Sequence, residues 1–317
     1  MLPERPPGPP IPPARPVPPA SPRKPPLGAP VLAPLGAPVW EELEIAGYLF
    51  LGGLAGASSI LAAGADLTRR PRLAKPTRLC ATAASTLSFV ALIKDLGRPA
   101  RFVNMLRVLK PTSPMSVGTW ILSAYAPLNF VASASAISRR APEIGRSAGI
   151  GAGLLGSAVA SYTGALIADT AVPAWHEGHR ELPFLFVASA AAAAGGFGLA
   201  AAPVSENAPA ARMALLGAAG ELLVEQLLER RLGPIAETLH TGVAGRRLRA
   251  AKLLSAAGLA ATALGARRSR VTSALTGTGL VAASALTRFG IFAAGMESAR
   301  DPRYTVALQR ARRDASS

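Results

Sequence analysis

The feature that most constrains this chain is a succession of apolar stretches separated by short charged connectors. Each stretch is close to the ~20 residues that a helix needs to cross a bilayer core. Eight can be read: 45–65 (IAGYLFLGGLAGASSILAAGA), 77–94, 115–138 (MSVGTWILSAYAPLNFVASASAIS), 147–168, 183–202, 208–229, 249–266 and 271–296. A backbone in lipid must satisfy its own hydrogen bonds, which leaves helices or a closed barrel. The alternating ~10-residue segments of a barrel are not seen. The sequence therefore predicts an all-α, polytopic membrane protein with about eight transmembrane helices.

Composition agrees. Only 16% of the 317 residues are charged, against about 25% in soluble proteins. Aromatic residues make up 5%, so the bulk comes from small and aliphatic side chains that let helices approach closely. Gly52 with Gly56, and Gly149 with Gly153, form GxxxG pairs suited to such contacts.

The ends differ from the middle. Residues 1–39 are Pro-rich (MLPERPPGPPIPPARPVPP and onward). Proline removes backbone donors and favours extended polyproline II, so a disordered tail is expected there. It is not read as a secretory signal, because no continuous apolar core follows its early basic residues. Residues 40–306 are assigned to the transmembrane domain and 307–317 to a C-terminal tail.

The formal net charge is +16. The bases sit in short clusters between apolar runs rather than in one stripe, so nucleic acid is not the expected partner. Such clusters act as topology signals and as anchors for anionic lipid. The first connector carries Arg69, Arg70, Arg72, Lys75 and Arg78, whereas Glu41, Glu42 and Glu44 precede the first stretch. That asymmetry predicts both termini outside a bacterial plasma membrane. Arg139, Arg140 and Arg146, and Arg267, Arg268 and Arg270, then fall inside, while the acid-rich DTAVPAWHEGHRE falls outside. Two basic connectors break the pattern: residues 95–120, and the one with Arg246, Arg247 and Arg249. A basic loop on the wrong side points to another task, such as docking an acidic partner.

Redox centres find few ligands. Cys80 is the single cysteine, which excludes an internal disulfide and an iron–sulfur cluster. His176, His179 and His240 fall in connectors, whereas a membrane haem needs imidazoles within helices. His176 and His179 could share a helical turn, but no third metal ligand follows at a suitable spacing. No haem, no cluster and no metal are expected in this chain.

DLGRPARFVNMLRVLKPTSPMSVGTW (95–120) has the marks of an ordered connector. Gly97 and Pro99 break the preceding helix. Apolar residues at 102, 103, 106 and 109 have helical spacing, with arginines on the other face. Pro111 and Pro114 end this short interfacial helix, and Ser113 or Ser116 can cap the next one. A lid on the bilayer surface is expected, with Asp95, Arg98, Arg101, Arg107 and Trp120 as lid or partner-docking residues.

This connector resembles that of the NrfD-type membrane anchors, the family of the polysulfide reductase membrane subunit. YLFLGGLAGAS (48–58), YTGALIADTAVPAWHEGHRELPFLF (162–186) and RFGIFAAGMESARDPRYTV (288–306) resemble further blocks of the same family, so the likeness extends over about 40–306. It implies two four-helix bundles and no redox centre in this chain. It also implies a non-covalent quinone (menaquinone or ubiquinone) in the first bundle, an iron–sulfur electron-transfer partner, and through that a molybdopterin catalytic subunit. Such a chain is not catalytic alone: it would exchange electrons with its partner, with local proton transfer.

A quinone needs hydrogen bonds at its oxygens and a route for protons, and intramembrane ionisable groups are suspects by default. Tyr162, Glu44, Tyr48 and Asp169 are the candidates. Glu221 and Glu225 form a possible proton path with Glu229, recurring every four residues in GELLVEQLLERR. That stretch either spans and lines a polar path or lies on the surface as an amphipathic helix. Arg288, inside the last apolar stretch, either pairs with one of these acids or snorkels. Two rival functions remain at this point: a secondary transporter, and a structural anchor with no working quinone site.

Overall fold

A computed structural model describes residues 42–96, 106–107, 109–301 and 303–304. The tails read as 1–39 and 307–317, and residues 97–105 and 108 of the 95–120 connector, lie outside the described residues. Among the described residues the regular structure is helical throughout.

Eight long helices follow one another: α1 Glu42–Leu67, α2 Pro71–Leu96, α3 Pro114–Ser138, α4 Pro142–Ala168, α5 Leu182–Ala201, α6 Ala208–Leu232, α7 Gly242–Ala263 and α8 Arg270–Arg300. Two short helices, Pro173–Glu177 and Glu237–His240, lie in connectors.

All eight apolar stretches are helical, but several helices begin earlier than the hydropathy. α2 starts at Pro71 rather than 77, α4 at Pro142 rather than 147, and α7 at Gly242 rather than 249. The reason is local. α2 and α4 begin at proline, which is well suited to the first helical turn because its missing N–H costs nothing there, and arginines near the start of all three extend the helix past its apolar part. Arg72, Arg146 and Arg246 are thus helical residues, not loop residues.

Six of the eight are long and apolar enough to cross a membrane: α1, Pro71–Lys94 of α2, α3, α4, α5 and α8. α6 and α7 fall short because of their charges. α6 carries Arg212, Glu221, Glu225, Glu229, Arg230 and Arg231, and α7 carries Arg246, Arg247, Arg249 and Lys252.

Short connectors make successive long helices antiparallel. One end of the assembly, the Glu42 end, gathers the start of α1 and the α2–α3, α4–α5 and α6–α7 connections. The other, the Arg139 end, gathers the α1–α2, α3–α4, α5–α6 and α7–α8 turns. α1 packs along α2 and α4, and α3 along α4 and α2. α5 packs along α6 and α8, and α7 along α8 and α6. α1 and α5 form the seam between these two sets.

Small residues set the close approaches. A Cβ on Gly56 would meet the backbone oxygen of Gly156, and one on Gly156 would meet that of Gly56. Gly153 faces Ala63 in the same α1–α4 crossing. Gly195 faces the Ala214 backbone on α6, and Gly196 and Gly277 face each other between α5 and α8. α6 is therefore packed lengthwise into the bundle, not laid on its surface.

The Pro173–Glu177 segment folds back into the helices. Trp175 is buried, its indole N–H donates to the Ile291 carbonyl at 2.9 Å, and its ring lies 5.5 Å from that of Phe292. Gly295 leaves the room it occupies. The Ala174 N–H donates to Ser298 Oγ at 3.2 Å. Arg231, at the end of α6, donates to the Glu177 carbonyl at 3.0 Å and pairs with Glu181 at 3.3 Å.

Candidate functional site

At the Glu42 end, between α1, α2, α4 and the start of α3, lies a cavity of about 320 Å³. Ile45, Tyr48 and Leu49 of α1, Leu92 of α2, Ser113 and Met115, and Leu166, Ile167, Asp169 and Thr170 line it. The walls are mostly hydrocarbon with a few polar groups, and the volume lies at the low end of small-molecule sites, about 300–1,000 Å³.

Two of the four quinone candidates line this space. Tyr48 is buried within α1, and the Ser88 hydroxyl of α2 donates to its backbone oxygen at 3.3 Å. Asp169 is the C-cap residue of α4; it is exposed and lines the cavity. The other two candidates stand beside the cavity. Glu44 pairs with Lys94 at 3.3 Å, joining α1 to α2 next to the lining residues Ile45 and Leu92. Tyr162 lies one helical turn below Leu166, on the same face of α4. Its ring rests on Gly118 of α3, and its hydroxyl is buried with no hydrogen-bond partner. A buried orphan hydroxyl calls for a partner, but Tyr162 is not among the residues that line the cavity.

The connector candidates spread out. The side chain of Asp95, and Arg98 and Arg101 entirely, lie outside the described residues. Arg107 is exposed in a turn. Trp120 is 42% exposed on the outer surface of α3, away from the cavity. Ser113 occupies the N-cap position of α3 but makes no side-chain cap bond. Ser116 takes another part: its Oγ accepts the Lys110 N–H at 3.0 Å and ties the connector to α3.

Glu221 is fully enclosed. Its carboxylate accepts Ser255 Oγ–H of α7 at 2.9 Å and Thr287 Oγ–H of α8 at 2.7 Å. Glu225 is half-buried one turn on, and Glu229 meets Lys252 at 3.5 Å. The acids thus face α7 in a row.

Arg288 does not snorkel; it makes no ion pair within 4 Å among the described residues, and Glu221 is the acid whose charge acts on it. It is 1% exposed, donates from Nη2 to the Phe186 carbonyl at 2.6 Å, and stacks 3.9 Å above the Phe186 ring. Its Nη2 also approaches Gly53 at the α1–α5 seam, while Nε and Nη1 have no partner. Its charge within an apolar run was the sequence signal for this position. What it faces was not legible there.

A second polar cluster went unread in the sequence. Ser59 Oγ lies 2.7 Å from the Tyr125 hydroxyl and 3.1 Å from Asn129 Oδ1, inside the first helix set. Single hydroxyls and one amide in apolar stretches carry no periodic signal. Among the described residues no group of three His, Cys, Asp or Glu is placed to hold a metal ion.

None of the curated proteins matches this chain. A family model, that of polysulphide reductase NrfD, matches residues 35–208, which takes in α1 to α5 and the whole cavity. The match spans more than half of the 317 residues, and the chain belongs to the polysulphide reductase NrfD family.

Proposed function

We propose that this chain is the quinone-interacting membrane subunit of a redox complex, with its quinone site in the Tyr48–Asp169 cavity. The observation that carries the reading is that cavity: an apolar space of about 320 Å³ at a helix end, in a family member, with a phenol and a carboxylate in its walls. A bound quinone or quinol would supply two-electron, two-proton chemistry between the membrane and an iron–sulfur partner.

The residues divide the work. Ile45, Leu49, Leu92, Leu166 and Ile167 exclude water from the ring. Tyr48 offers a hydroxyl within the apolar wall, and Tyr162 offers an unpartnered one a turn deeper. Asp169, exposed at the end of α4 and in the cavity wall, would hold or pass a proton at its carboxylate. The Glu44–Lys94 pair fixes the α1–α2 edge beside the cavity. The basic 97–113 connector at the same end, with Arg98, Arg101 and Arg107, would receive the partner and, through it, a molybdopterin subunit. Glu221 and Glu225 would carry protons within the second helix set. All eight long helices would span, in two bundles, α6 and α7 shielding their charges against each other and α8. Both termini would then lie outside the plasma membrane.

A titration tests the reading. Purified chain is titrated with a menaquinol analogue whose fluorescence is quenched on binding. Saturable binding should be lost in Leu166→Trp, which fills the cavity, and weakened roughly tenfold, the worth of about one hydrogen bond to a charged group, in Asp169→Ala. Binding untouched by Leu166→Trp would place the site elsewhere.

A further inference from the structure

At the opposite, Arg139 end, two hollows meet. One, of about 390 Å³, is lined by Asp66, Arg78, Ser135, Ala136, Arg139, Pro142, Glu143 and Arg146. The other, of about 550 Å³, runs down the outer α3–α4 groove past Pro127, Leu128, Val131, Ile144, Ser147 and Ala148. Glu143 borders both.

The basic hollow is built by a constrained turn. Arg139 (φ 57°) and Ala141 (φ 49°) both adopt left-handed backbone, a conformation that side chains other than glycine rarely take. The Ser135 hydroxyl holds this turn through the Arg140 and Ala141 carbonyls, at 2.9 and 3.1 Å. Gly145 is required beneath it, since a Cβ there would strike Ser135. Arg78 pairs with Asp66 and keeps a buried Nε without a partner. That leaves the exposed Arg139 and Arg146 without an acid among the described ion pairs, with Arg140 beside them.

We propose that these hollows form one binding site for an anionic glycerophospholipid. The phosphate takes Arg139 and Arg146, and one acyl chain lies along Leu128, Val131 and Ile144. Charge complementarity selects the occupant: basic pockets between helices near the surface attract anionic headgroups. The groove supplies the second half. From Ser135 to Pro127 is about 12 Å along α3, close to one leaflet of the ~30 Å hydrocarbon core. Glu143, exposed at the junction, suits the site to a singly charged phosphate rather than a polyanionic head. This assignment is independent of the quinone reading.

The test is native mass spectrometry of the purified full chain, titrated with phosphatidylglycerol or phosphatidylethanolamine. One phosphatidylglycerol should be retained in preference to phosphatidylethanolamine. Each arginine removed should weaken it about fivefold, so Arg139→Gln with Arg146→Gln weakens it about twenty-fivefold. Ser147→Trp, which fills the groove and leaves the charges, should remove the retained molecule. Arg267→Gln with Arg268→Gln, at the same end but outside the hollows, should change little. If the double glutamine variant does not fold, Arg139→Lys with Arg146→Lys should keep the lipid while Ser147→Trp still loses it. Equal retention of the two lipids, or equal loss in the Arg267/Arg268 control, would overturn the proposal.

Discussion

At the scale of single residues, close contacts and enclosed polar groups decide what can be changed. Gly56 and Gly64 lie in the same helix, yet a Cβ on Gly56 meets the Gly156 backbone while one on Gly64 meets nothing. Gly56→Leu is expected to destabilise the purified chain by at least the ~1–3 kcal/mol of an overpacked core, seen as a lower melting temperature. Gly64→Ala should be neutral or raise it, since alanine favours a helix by up to ~1 kcal/mol over glycine. Equal effects would contradict the α1–α4 crossing. Glu221 gives a second contrast. Glu221→Ala strands the Ser255 hydroxyl at about 1–3 kcal/mol, while Thr287 keeps the Ala283 carbonyl as acceptor at 3.1 Å. Glu221→Gln keeps an acceptor and should cost less in the same thermal measurement. The GxxxG pairs gave half of this. Gly56 and Gly153 sit in the crossing, but Gly149 faces Arg78, and Gly156, outside any GxxxG pair quoted, is the other half of the contact.

At the scale of elements, the connector between α4 and α5 is the least expected. Its acidic composition reads as a solvated loop, yet Trp175 within it is inserted between helices and bonded to Ile291. Trp175→Ala should cost about 3–5 kcal/mol. It should also raise protease sensitivity at 170–181, measured by limited digestion in detergent, whereas Trp120→Ala on the outer face of α3 should leave the digestion pattern unchanged. Hydropathy marked the long helices because each carries a run of apolar residues. It misplaced the starts of α2, α4 and α7 because their first turns are polar yet still hydrogen-bonded. α6 was ambiguous for a physical reason: its glutamates are a surface signature until Ser255 and Lys252 on α7 are seen to meet them. Tyr48 and Asp169 were reachable from sequence as polar groups at helix ends. Ser113, Met115 and Thr170, which also line the cavity, carry no signal of their own and become neighbours only through packing.

At the scale of the whole molecule, the two ends differ in character. The Glu42 end holds the apolar cavity, with the end of α2 and the start of α3 beside it. The Arg139 end holds the arginine hollow and its groove. In the proposed account the first end exchanges quinone and electrons and the second holds lipid. The most direct test is photolabelling with an azido-quinone followed by peptide mapping of the purified chain. Label is expected on peptides containing 45–49 and 166–170, displaced by excess unlabelled quinone. Label that spreads over exposed α3 and α7 faces, or resists displacement, would contradict a quinone site in the Tyr48–Asp169 cavity.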